Sequence, residues 1–129
     1  MCADDRLTPH KASQAGFHFR MHRLPSALVL AVSGEVDLAV EEPFRRALSA
    51  AIAEATASLI IELRDTFLDV RGLAAVLAVA ADGRARGVPV VLAAPTPLVR
   101  RMLAVVDPDR RLPYFESVAE ALRQTGEAR

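Results

Sequence analysis

Cysteine is nearly absent from this chain. Cys2, next to Met1, is the only one, so neither a disulfide framework nor a cysteine metal site can be assembled, and a reducing cytosol fits best. Charge of one sign is lacking too: 16 Lys and Arg stand against 16 Asp and Glu, and no global field draws the chain to nucleic acid or to an anionic membrane. Lys11 is the lone lysine. Long apolar runs are missing, since nothing approaches the roughly 18 uninterrupted apolar residues of a membrane span, and no signal-peptide pattern opens the chain. A cytoplasmic protein without membrane insertion is expected. Neither G-x-G-x-x-G nor G-x-x-x-x-G-K-[ST] occurs, so nucleotide binding has no positive support.

What is present is a core. A chain of 129 residues with 52% hydrophobic content is of single-domain size and can bury a substantial apolar interior. Residues 1–15 are polar and aperiodic and read as a flexible leader, 16–125 as the domain and 126–129 as a tail. Phe17, Phe19 and Met21 alternate with His18, Arg20 and His22, the period of a half-buried strand. Pro25 and Ser26 make a turn, and the apolar run 27–34 reads as a strand covered on both faces and ended by Gly34.

A helix follows in which Phe44, Leu48, Ala51, Ile52 and Ala55 recur at helical spacing behind Glu41, Glu42 and Pro43. Residues 58–63 form another buried strand, and 64–69 a loop. Leu73, Val76, Leu77 and Ala80 then mark an amphipathic helix that stops at Gly87. The segment 88–94 returns to strand, Thr96 and Pro97 start a helix on Leu98, Met102 and Val105, and Ser117 with Glu120 has capping-box spacing before a last helix to about Arg123. The order β-β-α-β-α-β-α-(β)-α predicts an α/β fold, a mixed sheet of four to five strands opened by a β-hairpin with about four helices packed on it. Ligands and partners of such sheets gather at the carboxyl ends of the strands, which points to the loops after Val32 and after Leu63.

Chemistry is thinly represented. His18 and His22 share a strand face, but His10 is the only other histidine and tetrahedral zinc needs three or four ligands, so no metal and no other cofactor is expected. Asp37 and Asp69 have no nucleophile or metal cluster beside them, which argues against an enzyme. The pairs Arg100-Arg101 and Arg110-Arg111 are diluted by Asp107, Asp109 and Glu116 and read as solvated surface, with no nucleic acid as partner. A surface for protein interaction is the remaining class.

Four local patterns carry a resemblance. Gly34-Glu35-Val36-Asp37 stands after the second strand; Glu62-Leu63 ends the next apolar strand; Phe67 and Asp69-Val70-Arg71-Gly72-Leu73 open a helix; and the segments 88–103 and 113–122 follow in order. Together they resemble the STAS domain family of bacterial anti-sigma factor antagonists, whose pattern is G-E-L-D, Asp-Leu, a loop with Phe and D-S-S-G-L, over about residues 17–123. The resemblance implies a STAS-like fold and a non-catalytic module for transcription regulation that binds an anti-sigma factor or related kinase-type regulator. Its partner-binding residues would be Gly34, Glu35, Asp37, Asp69, Val70, Arg71 and Gly72, with a homodimer left open as the oligomeric state.

In the family the kinase modifies the second serine of D-S-S-G, and the added charge of about −2 breaks a packed interface. The matching residue here is Arg71, which has no hydroxyl and bears the opposite charge. Val70 replaces the first serine. Control without the usual phosphoserine switch is therefore expected, with Thr66, the nearest hydroxyl in sequence, read as a loop residue that caps or solvates a turn and only alternatively as a substitute acceptor, and Arg71 either a solvated residue paired with Asp69 or Asp65 or an interface anchor. An accessory subunit of a membrane transporter and a small-ligand sensor are the alternative readings.

Overall fold

In the computed structural model, which describes residues 12–14 and 16–127, alternating apolar residues build one mixed sheet. The strands are β1 (Ala12–Gln14), β2 (Phe17–Arg23), β3 (Leu28–Val36), β4 (Leu59–Glu62), β5 (Thr66–Leu68), β6 (Val90–Ala93) and β7 (Tyr114–Phe115). The helices are α1 (Glu41–Glu54), entered through a 3₁₀ turn at Leu38–Val40, then α2 (Val70–Arg86), α3 (Pro97–Val106) and α4 (Val118–Glu127). The sheet order is β1-β2-β3-β4-β6-β7, and β5 pairs with β3 beyond the end of β4. β1–β2 and β2–β3 are antiparallel, the predicted hairpin among them, and the remaining pairs are parallel.

Two short strands were outside the expected set. β1 lies in the segment read as a flexible leader, where Ala12–Gln14 pair with Phe19 to Phe17 and give the β2 edge its backbone partners; the other leader residues, 1–11 and 15, lie outside the described residues. β5 lies in the segment 64–69 read as a loop. Three residues are too few to show a period, and the pairing that makes them a strand is supplied by β3.

The buried strands split their side chains by parity. Leu28, Leu30, Leu59, Ile61, Val90 and Leu92 join the larger core under α1, α2 and α3. Val29, Ile60, Val91 and Ala93 point the other way and meet Ala121, Val118 and Leu122 of α4. This is why their sequence runs apolar without alternation: both faces are covered. Among the described residues β2 is covered on one face, with Phe17 and Met21 inside and His18, Arg20 and His22 exposed.

Helix ends follow local chemistry. Thr96 accepts from the Val99 N–H with Pro97 at the first turn, and Ser117 Oγ accepts from the Glu120 N–H at 3.0 Å. The reciprocal half of that capping box is not made among the described contacts; hydrogen bonds from Gln124 and Arg123 hold the Glu120 carboxyl below its ordinary pKa. α4 runs past Arg123 to Glu127. α2 ends in a Schellman motif, with Val88 N–H donating to Gly83 at 2.7 Å and Gly87 N–H to Arg84 at 3.2 Å, and Gly87 at φ 78°.

Two expectations are corrected. Gly34 does not end its strand; it sits inside β3, at φ 98°, where a Cβ would stand 1.8 Å from the Gly16 carbonyl oxygen. That oxygen accepts the Glu35 N–H at 2.9 Å, so the chain comes too close here for any side chain. In α3 the buried residues are Val99 and Leu103, not the predicted stripe of Leu98, Met102 and Val105. Both stripes have helical spacing, and only the packed structure chooses between them.

Gly34→Ala is expected to cost about 2–3 kcal/mol in chemical denaturation, from left-handed strain of roughly 1–2 kcal/mol and the displaced Glu35 hydrogen bond of about 1 kcal/mol. Gly87→Ala, also at positive φ but with no atom within 4 Å of the new Cβ, should lose only the strain. Equal losses in the two variants would remove the close-approach explanation for Gly34.

Candidate functional site

The end of β3 and the start of α2 become neighbours because β5 returns to β3. After β4 the chain turns through Arg64 and Asp65, with Asp65 at φ 56° and the Thr66 N–H on the Leu63 carbonyl. It then runs parallel to β3, with Gly34 opposite Thr66, Glu35 opposite Phe67 and Val36 opposite Leu68. The ladder closes on Asp69, whose N–H donates to the Val36 carbonyl at 3.3 Å. The two stretches singled out in the sequence, 34–37 and 69–72, thus form one surface at the carboxyl ends of the strands.

Each acid there organises backbone. Asp69 is the N-cap of α2: its Oδ1 accepts the Gly72 N–H at 2.9 Å and its carbonyl the Leu73 N–H at 2.9 Å, which satisfies donors that a helix start leaves open. Asp37 Oδ1 accepts the Ala39 N–H at 3.0 Å, and its carbonyl accepts the Val40 N–H, an Asx-type turn that launches the 3₁₀ turn into α1. Both carboxylates are therefore turn and helix starters. Gly72 is buried against Leu68 and Val36, where a Cβ would come within 2.8 Å of the Leu68 side chain.

Arg71 finds its counter-charge on another helix. Its Nη1 donates to Glu41 Oε1 at 3.2 Å, in place of the expected Asp69 or Asp65, and Glu41 Oε2 accepts from Arg45 at 3.3 Å. A cation in the first turn of α2 opposes the helix dipole by a few tenths of a kcal/mol; an acid in the first turn of α1 is favoured by a similar amount, and the pair joins the two helix starts. Arg71 is 63% exposed, so the ion pair is worth at most about 1 kcal/mol.

Thr66 is corrected as an acceptor of phosphate. It is a strand residue, 1% exposed, and its hydroxyl donates to the Val32 carbonyl at 2.7 Å, with the Arg64 carbonyl at 3.2 Å. The hydroxyl pins β5 to β3 and is closed to an enzyme.

The exposed part of the surface is mixed. Glu35, Phe67, Val70 and Arg71 face solvent, Val70 at 68%. Beside them lies a feature the sequence reading missed, an apolar groove of about 420 Å³ between α2 and α3, lined by Val70, Leu73, Leu77, Met102, Val105 and Val106, with Arg101 at its wall. Its signal was the Leu98, Met102, Val105 stripe: Met102, half-buried against the core, and Val105 line the groove, and Leu98 stays exposed.

Comparison with known proteins agrees with this geometry. Residues 19–114 match the family model described as Mlab, STAS domain. Among solved structures the chain is similar to an anti-sigma factor antagonist from Mycobacterium paratuberculosis, at 24% identity and TM-score 0.74, over 90% of this chain and 98% of that one. It is similar to the Bacillus cell fate determinant SpoIIAA in its phosphorylated form, at 22% identity and TM-score 0.65, over 82% and 97% of the two chains. It is also similar to part of the murine Solute Carrier 26 family member A9 anion transporter, at 16% identity and TM-score 0.68, over 82% of this chain and 18% of that one. No curated protein matches in sequence.

Thr66→Val should cost about 1–2 kcal/mol in urea denaturation, because the shape is kept and a buried hydrogen bond is lost. Arg71→Ala should cost under about 1 kcal/mol. A larger loss for Arg71→Ala than for Thr66→Val would reverse the assignment of which residue holds the site together.

Proposed function

The chain belongs to the STAS domain family, and on that footing we propose that it is a non-catalytic docking module that regulates a cytoplasmic partner in the manner of an anti-sigma factor antagonist, without a phosphoserine switch. The partner is an anti-sigma factor or related kinase-type regulator. It would meet the surface of Gly34, Glu35 and Asp37 with Asp69, Val70, Arg71 and Gly72.

The observation that carries the absence of the switch is Arg71 itself. It stands at the position of the phosphorylated serine in the family pattern, ion-paired to Glu41, while Thr66 is buried with its hydroxyl donated to Val32. Phosphate release works by placing about two negative charges in a packed contact; here the same place carries a fixed positive charge. Binding is then set by how much partner and module are present, and Arg71 is free to act as an interface anchor, the role in which arginine is enriched.

A second reading is an accessory STAS unit of a transport protein, favoured by the likeness to part of the murine anion transporter. Co-purification with a transport subunit instead of an anti-sigma kinase would favour it.

Incubated with the anti-sigma kinase that co-purifies with it and labelled ATP, the protein should incorporate no phosphate, and Arg71→Glu should weaken the complex by ~2 kcal/mol or more, about 30-fold. Stoichiometric labelling at any residue would overturn the loss of covalent control, and an unchanged dissociation constant would remove the anchor role.

A further inference from the structure

We propose that the groove between α2 and α3 receives an amphipathic helix of a partner protein, one whose apolar stripe is flanked by acidic residues. This deepens the docking reading by assigning the partner's contacting element, and it rests on that reading for there being a protein partner at all.

The floor has the dimensions of a helix seat. Val70, Leu73, Ala74 and Leu77 line one wall along two turns of α2, about 10 Å at 1.5 Å per residue. Met102, Val105 and Val106 line the other. Val105 is 79% exposed, although α3 has Val99 and Leu103 to pack its inner face. Val105 and Val106 are exposed on a helix already anchored by Val99 and Leu103 and add nothing to the core. Two apolar walls with a trough between them suit the i, i+3/i+4, i+7 anchors of a helix laid in a groove.

Charge selects the occupant. Among the described residues Arg23, Arg45, Arg46, Arg64, Arg71, Arg86 and Arg123 each have a carboxylate partner. The arginines without one are Arg20, Arg84, Arg100, Arg101, Arg110 and Arg111, and four of these lie on α3 or in the segment that follows it. Arg101 stands at the groove itself. Arg84 is seven residues beyond Leu77, on the same face of α2 at its far end. Arg100 and Arg110 lie 5.4 and 5.0 Å from the Tyr114 ring centroid, on the other side of α3. Neither α3 nor the groove face of α2 contributes an acid; the one acid of α2, Asp82, is paired with Arg86. Among the described residues the apolar trough thus has Arg101 unpaired at its wall and Arg84 unpaired beyond the end of its α2 wall, with no acid in its lining. Acids flanking the partner's stripe would meet them. A second copy of this chain laid groove to groove would set these arginines against one another, and a lipid surface is poorly matched by a recessed aliphatic trough.

A display library of 18-residue helices, with a fixed leucine stripe and randomised flanks, tests this on the purified full chain without any anti-sigma factor or kinase. Selected helices should be enriched in Glu and Asp over Lys and Arg at the flanks. They should bind Val105→Asp and Arg101→Glu at least 10-fold more weakly while both variants melt like the parent, and lose affinity as salt rises. Flanks without acidic enrichment, binding indifferent to Val105→Asp, or no selected helix at all would overturn the proposal. So would Val105-dependent binding to phosphatidylglycerol vesicles, or a Val105-dependent dimer in sedimentation, in place of helix binding. If the partner complex is intact while the library fails, the docking reading stands and the groove assignment falls.

Discussion

One edge of β3 carries two strands, and the rest of the molecule is arranged around that fact. Its first half pairs with β4 and its second half with β5, so the chain must leave the sheet after Glu62, turn through Asp65 and come back. The return is held by the buried Thr66 hydroxyl on Val32 and ends with Asp69 on Val36. Because α2 starts at the next residue, its N-terminus is fixed beside the end of β3. Loss of that short pairing would leave α2 packed on the sheet but its start without an address.

The surface so positioned is stable for reasons separate from its use. Asp37 and Asp69 spend their carboxylates on backbone N–H groups, and Gly72 allows α2 to lie close to Leu68 and Val36. What these residues leave free is exposed and unlike a core: Glu35, Phe67, Val70 and Arg71. The Arg71–Glu41 pair answers a helix-dipole conflict with a neighbouring helix of opposite need. It contributes little to folding, and for that reason the arginine can be replaced or recruited by a partner without unfolding the domain.

Much of the fold could be read from the sequence, for physical reasons. Buried strands and amphipathic helices alternate, and the caps at Gly87 and Thr96 are local signals that need no tertiary information. What could not be read depends on contacts between distant residues. β5 is a strand only because β3 lies beside it, and Glu41 is 30 residues from Arg71. In α3 the stripes of Leu98, Met102, Val105 and of Val99, Leu103 are both helical, and periodicity does not separate the outer one, of which Met102 and Val105 line the groove, from the inner one. Gly34, Glu35, Asp37 and residues 69–72 come from the family pattern, and the β3–β5 register explains why two stretches so far apart in sequence lie side by side.

The central claim is that this surface holds its partner without phosphate control. Hydrogen–deuterium exchange of the complex with its kinase-type partner, recorded before and after ATP is added, tests it directly. The same protection over residues 34–37 and 69–72 is expected in both conditions; protection there that disappears on ATP addition would mean that phosphorylation governs the contact.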